Sequence, residues 1–273
     1  MSGHYTVFGA RGLVGSTVAA QLEAQGRHVR RVVRGEWPAA GEDLGRVVFT
    51  IGMTADFRNR LVETFDLQIL RLHEALTRYK FESFTYLSSA RVYAGAASTQ
   101  EETPLLVRPS ETDHVYNISK LAGESLCFAF PDPNIRVVRL SNVYGAQDVS
   151  NLFLTAVMRE AVATGKVSIG QSPLSAKDYI TVDDAAAAIV AISQRGRQRL
   201  YNVAFGRNVT HREIADIMVS ARYLVDFRQG GALADFPSMS MDRFDAEFAM
   251  AREEPQAGIL RTLRALEEKK KQA

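Results

Sequence analysis

One stretch constrains this chain more than any other: Tyr5-Thr6-Val7-Phe8-Gly9-Ala10-Arg11-Gly12-Leu13-Val14-Gly15-Ser16. A short apolar run ends in three glycines spaced three apart, and an amphipathic segment with Val18, Ala19 and Leu22 follows at once. The pattern predicts a buried strand over 4–8, a tight turn, and a helix over 12–25 closed by Gly26. Such a turn leaves backbone N–H groups without partners at the positive end of a helix dipole, which suits a pyrophosphate. The glycines answer three needs: unusual backbone dihedrals, close approach of a ligand, and helix–strand packing. The spacing is not the commonest dinucleotide pattern, so the turn alone is weak evidence. Its position directly after the first strand favours a dinucleotide seat over an ordinary turn.

Further along, strand and helix patterns alternate. Residues 29–33 read as a second strand, 36–46 as a loop with Trp37-Pro38, and 47–51 as a buried third strand. The connection between these strands is close to the minimum for a parallel crossover. Residues 61–79 predict one long helix, 84–87 a strand ending at Ser88-Ser89, 116–130 a helix stopped by Pro131 and Pro133, and 135–140 a strand. This order predicts an α/β fold, a doubly wound parallel sheet with helices on both faces.

The second half is looser. It predicts helices over 152–163, 183–193 and 259–270, extended segments over 178–182, 200–203 and 223–227, and a capping box at Thr210-His211-Arg212-Glu213. We expect residues 1–145 to form mainly the dinucleotide-binding core. Residues 146–273 would return to that core and build a small C-terminal substrate lobe.

Composition narrows the function classes. A net charge of +2 on 273 residues gives no field that would point to nucleic acid. The single cysteine, Cys127, excludes an internal disulfide framework and a multi-cysteine zinc site, so no metal site is expected. A strand begins almost at the N-terminus and no apolar run approaches membrane-spanning length. The expectation is a cytoplasmic protein without a membrane partner.

Tyr116 and Lys120 stand four apart on one predicted helix, one turn apart on one face. A phenol has an unperturbed pKa of about 10. A neighbouring ammonium favours the phenolate, so the pair suits proton transfer at a carbonyl or hydroxyl oxygen. Taken alone, the spacing describes a surface pair equally well. Ser88 and Ser89 sharpen it, because ligands of open α/β sheets lie beyond the C-terminal strand ends. Gly52, just past the third strand, occupies the same edge; close cofactor approach and an ordinary turn both account for it.

At these residues the chain resembles the extended short-chain dehydrogenase/reductase superfamily, in its nucleotide-sugar epimerase/dehydratase group. The resemblance rests on Gly9-x-x-Gly12-x-x-Gly15, Tyr86-Leu87-Ser88-Ser89-Ala90-Arg91-Val92-Tyr93, Tyr116-x-x-x-Lys120, Arg139-Leu140-Ser141-Asn142-Val143-Tyr144-Gly145 and Lys177-Asp178-Tyr179-Ile180-Thr181-Val182-Asp183-Asp184. It implies a Rossmann fold in which Ser89, Tyr116 and Lys120 are catalytic, Lys120 also holding the nicotinamide ribose and lowering the tyrosine pKa. Gly9, Arg11, Gly12, Leu13, Val14, Gly15, Arg34 and Gly52 would join Tyr116 and Lys120 around the cofactor. Ser89, Arg91, Asn142 and Lys177 would meet the substrate, although a structural role for Lys177 is open. The resemblance also implies a homodimer through the helices at 61–79 and 116–130.

Departures from the group narrow the reaction. Sugar 4,6-dehydratases carry an Asp-Glu pair after the catalytic hydroxyl, and the epimerase–reductases acting at C3 and C5 carry a cysteine there; this chain has Ala90 and Arg91. Carbonyl–alcohol interconversion on a nucleotide-linked sugar remains, with 4-ketoreduction expected and C4 epimerisation as the alternative. A non-catalytic dinucleotide sensor is the competing class. The second strand ends Arg30-Arg31-Val32-Val33-Arg34 without an acid, so Arg11 and Arg34 favour NADP over NAD.

Overall fold

Strands buried along nearly their whole length require cover on both faces, and those at 83–89 and 135–140 in the central sheet are of that kind. The computed structural model describes residues 3–53, 57–147, 152–234 and 236–272. Its first half comprises β1 (His4–Phe8), α1 (Leu13–Ala24), β2 (His28–Val32), β3 (Arg46–Phe49), α2 (Leu61–Phe65), α3 (Arg71–Arg78), β4 (Ser83–Ser89), α4 (His114–Ala129) and β5 (Ile135–Leu140). The second half adds β6 (Asn142–Tyr144), α5 (Phe153–Thr164), β7 (Lys166–Ile169), β8 (Ala176–Thr181), α6 (Val182–Arg195), β9 (Leu200–Val203), β10 (Asn208–Thr210), α7 (His211–Ser220), β11 (Leu224–Phe227), α8 (Asp242–Phe248) and α9 (Pro255–Gln272).

Six parallel strands form the main sheet in the order β2-β1-β3-β4-β5-β9. Side-chain alternation divides each strand between two apolar layers. Val7, Val48, Leu87 and Val138 face a layer with Val18 and Leu22 of α1 and Ile189 of α6. Their neighbours Phe8, Phe49, Tyr86 and Val137 face Leu72 and Leu76 of α3 and Cys127 of α4. β1 lies between β2 and β3, so the chain steps to one side of it for β2 and back to the other side for β3, which opens a crevice at its C-terminal end. β2 is one of the two edge strands, and Arg30 and Arg31 on it pair with Glu42 and Glu23, which blunts that edge with charge.

β9 completes the main sheet and α6 packs on its face, while β6, β8 and β10 form a separate three-stranded sheet and β7 pairs with β11. A second apolar cluster, including Leu154, Met158, Ile214, Ile259 and Leu263, joins α5, α7 and α9 beside them.

The expected single helix over 61–79 differs in one respect. A π-helical turn, Asp66–Leu70, separates α2 from α3. This turn directs Gln68 inward, where its amide donates to the Met53 carbonyl at 2.9 Å and accepts from Ser119 at 2.8 Å. Two tertiary hydrogen bonds to a buried side chain offset the local irregularity, and such turns recur at functional sites.

Candidate active site

The glycine turn is built as a cradle. Gly9 has φ +78°, a left-handed conformation. A Cβ on Gly15 would lie 2.4 Å from the Gly9 carbonyl oxygen and 2.6 Å from Thr50 Oγ1. Thr50 is itself fixed, donating to the Phe8 carbonyl at 2.7 Å. Gly12 is the N-cap of α1 and supplies no side-chain cap. The helix therefore presents its first N–H groups to whatever occupies the crevice.

A cavity of about 790 Å³ runs from this turn to the C-terminal ends of β4 and β5. Arg11, Gly12, Leu13, Val14, Gly15, Gly52, Ser89, Arg91, Tyr116, Lys120, Asn142 and Lys177 all line it. Two other residues expected at the cofactor do not. Gly9 belongs to the turn but not to the lining, and Arg34 is also outside it, its side chain 87% exposed and 3.7 Å from Glu63. The residues present fit a dinucleotide: an uncapped helix N-terminus, glycines that a Cβ would fill, and an elongated crevice leading to a polar floor.

At that floor the two serines at the end of β4 part company. Ser88 is buried and donates to Glu124 at 2.5 Å. Ser89 faces Tyr116 and hydrogen-bonds its hydroxyl, while Ser89 Oγ also accepts from the Arg91 N–H at 3.2 Å. Tyr116 is buried among Met53, Phe57 and Leu67, with the Phe57 ring 5.1 Å from its own. Burial raises the Tyr116 hydroxyl above the ordinary phenol value, and the Ser89 hydrogen bond and the Arg91 charge only partly oppose it.

That result corrects the expectation that Lys120 lowers the Tyr116 pKa. The Lys120 ammonium lies 6.0 Å from the Tyr116 ring centroid and donates to the Leu87 carbonyl at 2.9 Å. Burial pushes Lys120 itself down to about 8, with Glu124 acting in the opposite sense. Gly52 gives this lysine room, since a Cβ there would stand 3.2 Å from its Nζ.

α4 carries both Tyr116 and Lys120, and a buried ion pair anchors it to the sheet. Arg139 on β5 reaches Glu124 on α4 at 2.7 Å, and both side chains are 5% exposed. Arg139 also donates to the Tyr93 hydroxyl at 2.8 Å, which in turn donates to Asn202 at 2.9 Å.

The opposite wall is made by the second half of the chain. Asn142 donates to the Asp178 carbonyl at 2.9 Å, joining β6 to β8 and leaving the residue exposed in the cavity. Burial, together with Arg91 and Arg58, lowers the Lys177 ammonium pKa. Behind this wall His211 stacks on Phe153 at 4.1 Å, and burial pushes its imidazole down to about 4. Phe57, Arg58, Gln68, Glu124 and Tyr179 were not anticipated in the site. Tyr179 stands in the Lys177–Asp184 motif, whereas the other four reach the site through contacts distant in sequence.

Fold and site together define a dinucleotide-binding α/β enzyme of the short-chain dehydrogenase/reductase type. A model of the NAD dependent epimerase/dehydratase family matches residues 67–204, just over half of the chain, and the chain belongs to that family. Among curated relatives, a dTDP-glucose 4,6-dehydratase of Streptomyces griseus is 28% identical over 156 residues, covering 55% of this chain and 46% of that protein. A putative GDP-L-fucose synthase 2 of Oryza sativa subsp. japonica is 25% identical over 247 residues, covering 77% of this chain and 70% of the relative. The match thus spans about half the length of the first relative. Among solved structures, MoeE5 in complex with UDP-glucose and NAD superposes with a TM-score of 0.80 at 20% identity, over 99% of this chain and 100% of the other. No helix among the described residues is long and apolar enough to cross a membrane.

Proposed function

We propose that the protein is an NADP-dependent ketoreductase acting at the 4-position of a nucleotide-linked sugar. The observation that carries this reading is the grouping of Ser89, Tyr116 and Lys120 at the floor of one cavity that begins at the glycine turn. When bound, the nicotinamide cofactor supplies the hydride that reduces the carbonyl carbon. Ser89 holds the substrate oxygen and Tyr116 donates the proton that completes the alcohol. A tyrosine whose pKa burial has raised stays protonated at neutral pH, which suits reduction. Lys120, near pH 7 largely an ammonium, would hold the cofactor ribose. Arg11, exposed at the turn, supports the choice of a 2′-phosphate; Arg34 would need to swing from Glu63 to assist.

The segment after Ser89 supports reduction over elimination. Ala90 is buried and Arg91 is a cation, so neither supplies a carboxylic acid or base for removing water. C4 epimerisation remains the alternative, since it uses the same three residues with cofactor retained. The chain's second half would serve as the substrate lobe. Val62 and Leu70, 78% and 60% exposed near α2, with Phe128 on α4, support a homodimer through those helices.

The test is purified protein with NADPH and a panel of nucleotide-linked 4-keto sugars, read as loss of NADPH absorbance. Tyr116→Phe should lower turnover by about 10²–10⁴-fold while cofactor affinity holds. Equal turnover in the variant would sink the mechanism. Tight cofactor binding with no consumption favours a sensor, and C4 inversion without net consumption favours the epimerase.

A further inference from the structure

The charge lining the cavity is one-sided. Arg11, Arg58, Arg91, Lys120 and Lys177 line it, and among the described residues no acidic side chain does. Arg11 and Lys120 are accounted for by a dinucleotide. Arg58 and Arg91 lie elsewhere, on the wall beside Tyr116, and Lys177 lines the opposite wall, near enough that each of the two arginines lowers its pKa.

Partners within the protein leave this cluster in excess. Asp113 is the single carboxylate that Arg58 and Arg91 share. Arg58 takes it in a two-pronged contact at 2.7 and 2.8 Å, leaving Arg91 at 3.6 Å. Arg91 Nε is buried and has no hydrogen-bond partner among the described residues. Lys177 makes no ion pair among them. Phe57 holds both guanidinium groups in place, 4.7 Å from Arg58 and 5.3 Å from Arg91, and packs directly on Tyr116. An ordered arginine with an unfilled, desolvated donor is a costly arrangement unless an anion completes it.

The location of the cluster narrows which anion. Arg91 follows Ser89 by two residues and its own N–H bonds Ser89 Oγ, so its charge belongs to the reacting end of the site. In a sugar linked to a nucleotide through C1 and reduced at C4, the diphosphate departs from the far side of the ring. The groups beside the reacting carbon are the C3 hydroxyl and the C5 substituent, and only the latter contains a carbon that can be a carboxylate. We propose that Arg58 and Arg91, backed by Lys177, hold a carboxylate on that neighbouring carbon, so that the substrate is a nucleotide-linked sugar acid. This rests on the reading of Ser89 and Tyr116 as the groups at the reacting oxygen.

The experiment is calorimetric titration of the cofactor-loaded protein with matched pairs sharing a nucleotide: a UDP-, dTDP- or GDP-linked hexose and the corresponding uronate. The uronate should bind at least about tenfold tighter, the worth of one charge-assisted hydrogen bond. Arg91→Gln should bring the ratio of uronate to hexose affinity close to one, and Arg58→Gln should reduce that ratio. Circular dichroism checks that each variant is folded, and Arg58→Gln carries the test if Arg91→Gln does not fold. Equal affinity for hexose and uronate would overturn the proposal while leaving the ketoreductase reading intact. If Arg91→Gln weakens both members of a pair alike, the arginine meets the diphosphate and the proposal falls. Failure of every pair to bind would overturn the functional reading together with this one.

Discussion

Removing Arg139 should expose how the site is held. Its guanidinium donates to Glu124 through Nε at 3.0 Å and Nη2 at 2.7 Å, with further donations from Nη1 to the Tyr93 hydroxyl and the Glu101 carbonyl. In Arg139→Met, Glu124 keeps the Ser88 hydroxyl but loses its ion-pair partner, leaving the Lys120 ammonium, which makes no ion pair with it, as the cation it still feels. Breaking one side of such a pair costs about 3–5 kcal/mol. At roughly 2–4 °C per kcal/mol for a chain of this size, the melting temperature should fall by about 6–20 °C. The pair itself is a different matter, because replacing both charges with apolar groups of similar size is often close to neutral. Glu124→Met combined with Arg139→Met should therefore recover most of the loss. Urea unfolding of the four proteins in the cycle gives the coupling energy. Lys120 lies one turn and Tyr116 two turns before Glu124 on α4, so the cofactor affinity of the single variant should fall as well. An Arg139→Met cost below about 1 kcal/mol, or a double variant whose losses simply add, would refute the reasoning.

Other expectations follow from the same geometry. Gly15→Ala pushes a methyl group against the Gly9 carbonyl and Thr50, and should cost about 1–3 kcal/mol in urea unfolding and abolish cofactor binding measured by fluorescence titration. Lys120, at about 8, lies below its unfolded value, so the unfolded chain holds that proton more tightly. The protein should therefore gain stability as pH rises from about 8 toward 10.5, while cofactor affinity falls over the same window; Lys120→Met should flatten both profiles. His211, held at about 4 by burial, should make the protein lose stability as pH drops from about 6.5 to about 4. A thermal melt series should show that acid limb shrink in His211→Phe. Arg11→Ala should raise the KM for NADPH more than that for NADH, and equal effects on both would remove Arg11 from 2′-phosphate recognition.

Local periodicity made the frame legible in the sequence alone. Consecutive apolar residues such as Val47-Val48-Phe49 signal a strand covered on both faces, and three spaced glycines after the first strand signal a phosphate-binding turn. The four-residue spacing of Tyr116 and Lys120 likewise fixes their shared helix face. These features depend on residues close in the chain, so their pattern survives without coordinates. Tertiary structure decided the rest. The π-helical turn at 66–70 exists because Gln68 bonds to Met53 and Ser119, partners 15 and 51 residues away. Whether Lys120 or burial governs Tyr116 is a contest between charge and desolvation, and the winner depends on where the ammonium points. The excess of cation beside Tyr116 has the same origin. Arg58, Arg91 and Lys177 are far apart in sequence; only folding brings Arg58 and Arg91 around Phe57 and one carboxylate, with Lys177 near enough to feel both charges.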